Sequence, residues 1–235
     1  MGKIFFNKLK FLTFGMSVTT VVVFLCLGVS LVHAQKQTHY KTYDPQTGEI
    51  INRFHALVED APSGGYKVHW ISEEGDFKIE EDYVLGQDYE TLWWHVVDDQ
   101  RKTDYIGERK GNELLINGLF LGIKIQKTIQ LDDKAFYYNP KFGLVDFIRS
   151  EKESETFWGF RHDELKVYPM KAINKGVEVI SVGGEDVEAI KVYWTVNDFR
   201  STFFKRIYWF RKSDGLYVKQ EAGIGKFREL VSEQP

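Results

Sequence analysis

Cysteine is almost missing from this chain: of 235 residues only Cys26 carries a thiol, and it sits inside an uncharged apolar run. The remainder therefore has no disulfide, no thiolate metal site and no cysteine nucleophile. A chain without covalent staples has to rest on its core, which about 200 residues can supply. Proline is scarce, with five in all, and no stretch is low in complexity, which argues against broad disorder. Motifs of the H-x-x-x-H, H-E-x-x-H and G-x-S-x-G types are absent, which removes common zinc-site and serine-hydrolase signatures. A basic surplus is missing as well. The net charge is −3, and beyond residue 34 there are 28 basic against 34 acidic side chains, a net −6. No nucleic-acid footprint is expected from that balance.

The one long hydrophobic run is at the start. Lys3, Lys8 and Lys10 precede an uncharged stretch from Phe11 to Leu31, and Val32-His33-Ala34 then resembles a small-x-small cleavage site. Residues 1–34 read as a signal peptide, with an uncleaved anchor as the alternative because the run is long enough to cross a bilayer. Export into a bacterial periplasm is the expectation, with membrane contact limited to the signal or anchor or to transient encounters. Residues 35–235 are expected to form one domain.

Aromatic residues are plentiful at 15%. From Gly176 to Ala222 the chain reads as four strands, with turns at Gly183-Gly184, Asn197-Asp198 and Asp214-Gly215. In Glu188–Val196, Ile190, Val192, Trp194 and Val196 share one face, as in a sheet with one buried side. Upstream, strands are predicted at 51–58, 66–70, 77–85, 90–97, 102–108 and 113–116. Residues 119–131 read as one long alternating strand with Lys127 as a bulge or edge signal on its apolar side. Asn139-Pro140 offers an N-cap and a first helical residue, and Phe142, Leu144, Val145 and Ile148 give an amphipathic helix to about Ser150. Strands 154–160 and 165–172 follow, the second placed at an edge by Pro169. Residues 35–43 read as a polar tether and 225–235 as a fraying end. The fold class is thus mainly β: a single curved antiparallel sheet of about ten strands, barrel-like or half-barrel, with one or two short covering helices.

No catalytic residue is identified. His55, His69 and His95 could form a metal site only if strand parity set them on one face, and scattered half-buried histidines are the simpler reading. The acids at 73–82 read as a solvated hairpin surface, because Glu80 and Asp82 alternate away from Phe77 and Ile79. Neither metal nor cofactor is expected. Trp93-Trp94 and Phe203-Phe204 are adjacent pairs, so within strands each pair sends one ring to either face, and the second ring needs cover. The candidate ligand-binding residues are therefore Trp70, Trp93, Trp94, Phe120, Trp194, Phe203, Phe204 and Trp209.

The segment NPKFGLVDFIRS, then GVEVISVGGEDVEAIKV, then KRIYWFRKSDGLYVKQE resembles a family of uncharacterised periplasmic proteins of Gram-negative bacteria. The matching residues are Val182, Gly184, Asp186, Val187, Ala189, Lys191 and Val192, then Trp209, Gly215 and Val218, across roughly 139–221. The spacing departs from that family at Gly183-Gly184-Glu185-Asp186, where one glycine and one acid are usual. That family is distantly similar to the lipoprotein carrier and receptor proteins LolA and LolB. The resemblance implies a curved sheet wrapped around a helix that holds acyl chains. The expected function is a non-catalytic periplasmic carrier for a lipid or acylated ligand. The alternatives are an envelope assembly or interaction protein with an aromatic docking face, and a glycan-binding module.

Overall fold

The computed structural model describes residues 35–62, 64–223 and 225–234. The signal or anchor predicted for residues 1–34, with Cys26, lies outside the described residues. Eight strands follow one another first: β1 (Gln35–Tyr43), β2 (Ile50–Asp60), β3 (Tyr66–Glu74), β4 (Phe77–Leu85), β5 (Thr91–Asp98), β6 (Thr103–Lys110), β7 (Glu113–Phe120) and β8 (Ile123–Gln130). A two-residue β9 (Phe136–Tyr137) leads into two helical turns, α1 (Pro140–Gly143) and α2 (Val145–Arg149). Then come β10 (Ser154–Arg161), β11 (Lys166–Val182), β12 (Glu185–Val196), a 3-10 turn (Phe199–Thr202), β13 (Lys205–Arg211), β14 (Tyr217–Gly223) and β15 (Lys226–Gln234).

All fifteen strands belong to one curved sheet, in the order β8-β7-β6-β5-β4-β3-β2-β1-β15-β14-β13-β12-β11-β10-β9. Every neighbour pair is antiparallel except the two-residue pairing of β9 with β10. The strands β8 and β9 are the edges, so the sheet is open. Its two halves are joined where β1 pairs with β15.

That junction corrects two expectations. The predicted tether at 35–43 is β1, and the predicted fraying end is β15; they lie in the middle of the sheet. Polar composition hid β1 because its inward positions are Thr38, Tyr40 and Thr42, all buried, between outward Lys and His. Threonine and tyrosine fit a strand as well as aliphatics do.

The long strand expected at 119–131 is a hairpin. It turns at Leu121 (φ 53°) and Gly122 (φ 77°), the left-handed pair that a two-residue hairpin loop needs. Because Phe120 pairs with Ile123, the turn inverts the sequence parity. Leu119 then faces outward while Ile125 and Ile129 face inward, so an unbroken alternation conceals the turn. Lys127 is the inward-facing charge of an edge strand, and its Nζ donates to the carbonyl of Leu165 at 2.6 Å. Pro169, expected at an edge, lies in the interior strand β11. Its carbonyl accepts from Asn197 N at 2.7 Å, one residue beyond the end of β12, so the missing N–H faces a turn instead of a ladder position.

The expected helix starts as predicted, with the Asn139 side chain accepting from Lys141 N and Pro140 in the first turn. It breaks into α1 and α2 at Leu144 (φ −83°, ψ 2°). Gly143 lets α1 approach the sheet: a Cβ there would stand 2.5 Å from Tyr137 Cγ. Both turns lie against the inner face, where Leu144, Phe147 and Ile148 are buried. The ring of Phe142 lies 5.8 Å from Trp70 and 6.0 Å from Tyr83. Of the fifteen strands, β1, β9 and β15 are not expected from the sequence, and the segments expected separately at 165–172 and from Gly176 are one strand, β11.

Candidate functional site

The inner face is largely filled by the protein's own rings. Trp94, Tyr83, Tyr105, Phe136, Phe147 and Phe157 are fully buried there. Among the described residues two substantial gaps remain on this side. One, of about 260 Å³, lies beside α1 and α2, with Tyr40, Tyr66, Val68, Leu85, Phe142 and Val145 among its walls. The other, of about 520 Å³, is bounded by Phe160, Met170, Trp194, Phe204 and Arg206.

The eight aromatic candidates do not form one site. Trp70 and Trp94 are core residues: Trp70 stacks near Tyr40 and Phe54, and Trp94 lies against Phe136, Tyr138 and Phe160. Phe120 is half-buried near the β7 turn, 6.3 Å from the ring of Tyr105. Trp194 and Phe204 are 5.6 Å apart and both border the larger gap. Phe203 and Phe204 lie outside the strands, just after the 3-10 turn, and Phe203 is 88% exposed. Trp93 and Trp209 face outward. Trp209 donates from Nε1 to Glu178 at 2.5 Å and lies beneath Lys191.

What the alternation analysis missed is a charged group on the inner face. Glu81 shares its face with Tyr83 and Leu85 and pairs across to Trp70. Its carboxylate accepts from the hydroxyls of Tyr83 and, at 3.0 Å, Tyr138. Burial pushes both phenols well above their ordinary range. Lys141, at the start of α1, holds its Nζ 5.0 Å over Trp70 and 5.9 Å over Tyr217. Its nearest oxygen partner is Asn139 Oδ1 at 3.5 Å. Arg228 on β15 places its guanidinium 3.6 Å over Phe54 and donates from Nε to Thr42 Oγ1 at 3.2 Å. Arg206 on β13 lies 5.9 Å from the ring of Trp194 and precedes the inward Tyr208 by two residues. A row of cross-strand partners, Val192–Tyr208–Gln220–Arg228–Thr42–Asn52, carries Arg228 along the same face.

Three cations and one carboxylate thus share a concave aromatic surface. Burial, then the charge of Arg228, holds the Lys141 amine well below its usual range. Arg228 is itself lowered, first by burial. None of the three cations has an ion-pair partner among the described residues, although Lys36, Arg109 and Arg211 each have one. The signal was present in the sequence: Arg206 is in parity with Tyr208 and Phe210, and Glu81 with Ile79 and Tyr83. A charge on a strand ordinarily faces water, and Glu81 and Arg206 depart from that rule.

The four strand histidines, His39, His55, His69 and His95, lie on the outer face, whereas His162 follows β10 and borders the larger gap. His39 and His55 are cross-strand partners with Nδ1 atoms 2.6 Å apart. His69 bonds Asp82 at 2.7 Å and His95 bonds Asp104 at 2.8 Å. His55, His69 and His95 do share a face, but among the described residues no group of three His, Cys, Asp or Glu side chains is arranged to hold a metal. No helix among the described residues is long and apolar enough to cross a membrane.

The chain matches no family model and no curated protein. Among solved structures it is similar to a β-barrel-like protein of the domain of unknown function DUF1849 from Brucella abortus. The TM-score is 0.56, over 85% of this chain and 97% of that chain, at 9% identity. At that identity the likeness is one of fold, and it supports the barrel-like architecture.

Proposed function

We propose that this chain is a non-catalytic binding or carrier protein of a bacterial envelope, exported by its N-terminal segment, that takes an acylated or lipid-like ligand beside its interior helix. The carrying observation is the 260 Å³ gap between α1–α2 and the inner faces of β1 to β4, whose walls are mainly aromatic and aliphatic. Its size approaches the lower end of small-ligand pockets, roughly 300 Å³ and upward. A single chain or part of one fits such a space; a large lipid does not. Enlargement would require α1 and α2 to shift against the buried contacts of Leu144, Phe147 and Ile148. A sheet around an interior helix is what a carrier of the LolA and LolB kind, the resemblance read in the sequence, would need, and a binding or carrier role is compatible with the fold.

The direct test is native mass spectrometry of the protein purified from a bacterial envelope, followed by organic extraction. A retained acyl species, lost in Phe142→Asp, is the expected result. An empty protein that also ignores added phospholipid and fatty acid overturns the reading.

A second reading, docking on an envelope protein, has its own observation. Phe199, which opens the 3-10 turn, and Phe203, which caps its end, are 86% and 88% exposed. Fully exposed phenylalanines in close succession favour a contact surface. The glycan alternative has less behind it, since none of the six tryptophans is exposed.

A further inference from the structure

The charges on the inner face go further than the apolar gap. We infer that Lys141, Arg228 and Arg206 form a recognition site for an oxyanion, a carboxylate or phosphate, carried as the head group of the acyl ligand; this rests on the carrier reading above. Geometry is the ground for it. Lys141 borders the 260 Å³ gap and Arg206 the 520 Å³ gap. Arg228 sits on the connecting surface, on the row that runs from Tyr208 through Gln220 to Thr42. The ring of Trp70 under Lys141 and the ring of Phe54 under Arg228 are neighbours, 5.4 Å apart. The two cations are therefore presented side by side on one aromatic floor.

The smaller gap is also bordered by Asp214, Glu59 and Asp60, but Asp214 is paired with Lys36 and Arg211, Glu59 takes the Gln35 amide, and Asp60 is exposed. Glu81 is the carboxylate within electrostatic range of Lys141 and Arg228, and its oxygens are taken by two tyrosine hydroxyls. The indole N–H of Trp194, beside Arg206, is buried and has no partner among the described residues. Lys141 and Arg228, part-buried and close to each other, repel, with the exposed Arg206 at the margin, and a further negative group would relieve that repulsion. A planar oxyanion accepts from guanidinium forks and an ammonium together, with charge-assisted bonds. The aromatic floor stabilises the cations through the ring faces and consumes none of their N–H donors, of which Arg228 Nε bonds Thr42 and Lys141 Nζ bonds Asn139. An apolar gap that opens beside such a cluster suits a molecule with one anionic end and one hydrocarbon end. The inference commits to that anionic amphiphile.

The experiment is isothermal titration of the purified chain with four probes below their micelle thresholds: dodecanoate, dodecyl phosphate, dodecyltrimethylammonium and inorganic phosphate. Dodecanoate or dodecyl phosphate should bind at least about tenfold more tightly than the trimethylammonium probe. Lys141→Met and Arg228→Met should each remove most of that preference while leaving the trimethylammonium affinity within about twofold, and Arg228→Lys should retain part of it. Near-UV circular dichroism checks the fold; if Arg228→Met does not fold, Lys141→Met carries the test alone, because its amine has no ion partner to strand. Equal affinity for the anionic and cationic dodecyl probes overturns the anion site and leaves the carrier reading standing. Binding of inorganic phosphate that both methionine variants weaken, with no dodecyl probe bound, supports the anion site and overturns the carrier reading. Absence of binding by all four overturns both.

Discussion

The indole of Trp94 on β5 lies on the bare backbone of its cross-strand partner Gly107 on β6: a Cβ built on Gly107 would stand 2.0 Å from Trp94 Cζ2. Trp94 is the largest fully buried side chain, and its other face meets Phe136, Tyr138 and Phe160. The glycine therefore sets how deeply the β9–β10 edge can pack into the concave side. Gly107→Ala should destabilise the protein by about 1–3 kcal/mol through overpacking. Urea unfolding followed by tryptophan emission reads both the loss and the displaced ring. Combining it with Trp94→Leu should remove much of the alanine's cost, since the three nearest atoms to that Cβ all belong to the Trp94 ring.

His39 and His55 form a pH-sensitive contact at the centre of the outer face. A 2.6 Å approach of two Nδ1 atoms needs one donor and one acceptor, so the pair cannot be fully protonated without separating. Burial first, and then the charge of His55, lowers the pKa of His39. With a folded pKa below the unfolded value of about 6.5, the unfolded chain takes up the proton first on acidification. The stability contribution is complete above about 6.5 and declines as pH falls from there through the lowered folded value. The urea midpoint should drop between pH 7.5 and 5, and His39→Asn should flatten that slope. An unchanged slope in the variant rejects the assignment.

Lys141 should cost stability in the ligand-free protein. Burial, then Arg228, lowers its folded pKa below the unfolded value of about 10.4, so stability rises as pH climbs toward 10.4. Lys141→Met should be neutral or stabilising at pH 7, by on the order of 1 kcal/mol, and should lose that alkaline rise. Thermal melts at pH 7 and 9.5 are the measurement. A large destabilisation would mean that the amine has a structural partner.

Deleting residues 225–235 should abolish folding. β15 bonds to both β1 and β14, so its removal separates the two halves of the sheet and exposes two edges. Far-UV circular dichroism and limited proteolysis of the truncated chain would decide. A folded truncated protein would contradict the central position of β15.

Replacing both Phe199 and Phe203 with serine should leave stability within about 0.5 kcal/mol, because neither ring is buried. If this segment is a docking surface, the double variant should lose retention on a phenyl-substituted matrix while its melting curve stays the same. A clear loss of stability would mean that these rings pack in solution.

Much of the architecture was legible in the chain. The β class, the single curved sheet, the Asn139-Pro140 helix start and the hairpins at Gly183-Gly184 and Asp214-Gly215 all follow from local rules. Period-two alternation, glycine at positive φ and an asparagine cap act over a few residues. The candidate site was less legible. Tryptophans were the obvious pointers, yet Trp70 and Trp94 are consumed by the core and Trp93 and Trp209 face outward.

What the sequence determined by itself was the alternation within each strand, because side-chain direction follows from the pleat. Only the tertiary structure decided which side of each strand is inside and which strands meet. The partner of β1 lies almost two hundred residues away, so no local pattern marks residues 35–43 as central or residues 226–234 as their neighbours. For the same reason Lys141, Arg206 and Arg228 look like ordinary surface charges in the chain. They become one cluster when the curl of the sheet brings α1, β13 and β15 over a common aromatic floor, since curvature and long-range pairing set the part-buried Lys141 and Arg228 and the exposed Arg206 on one face.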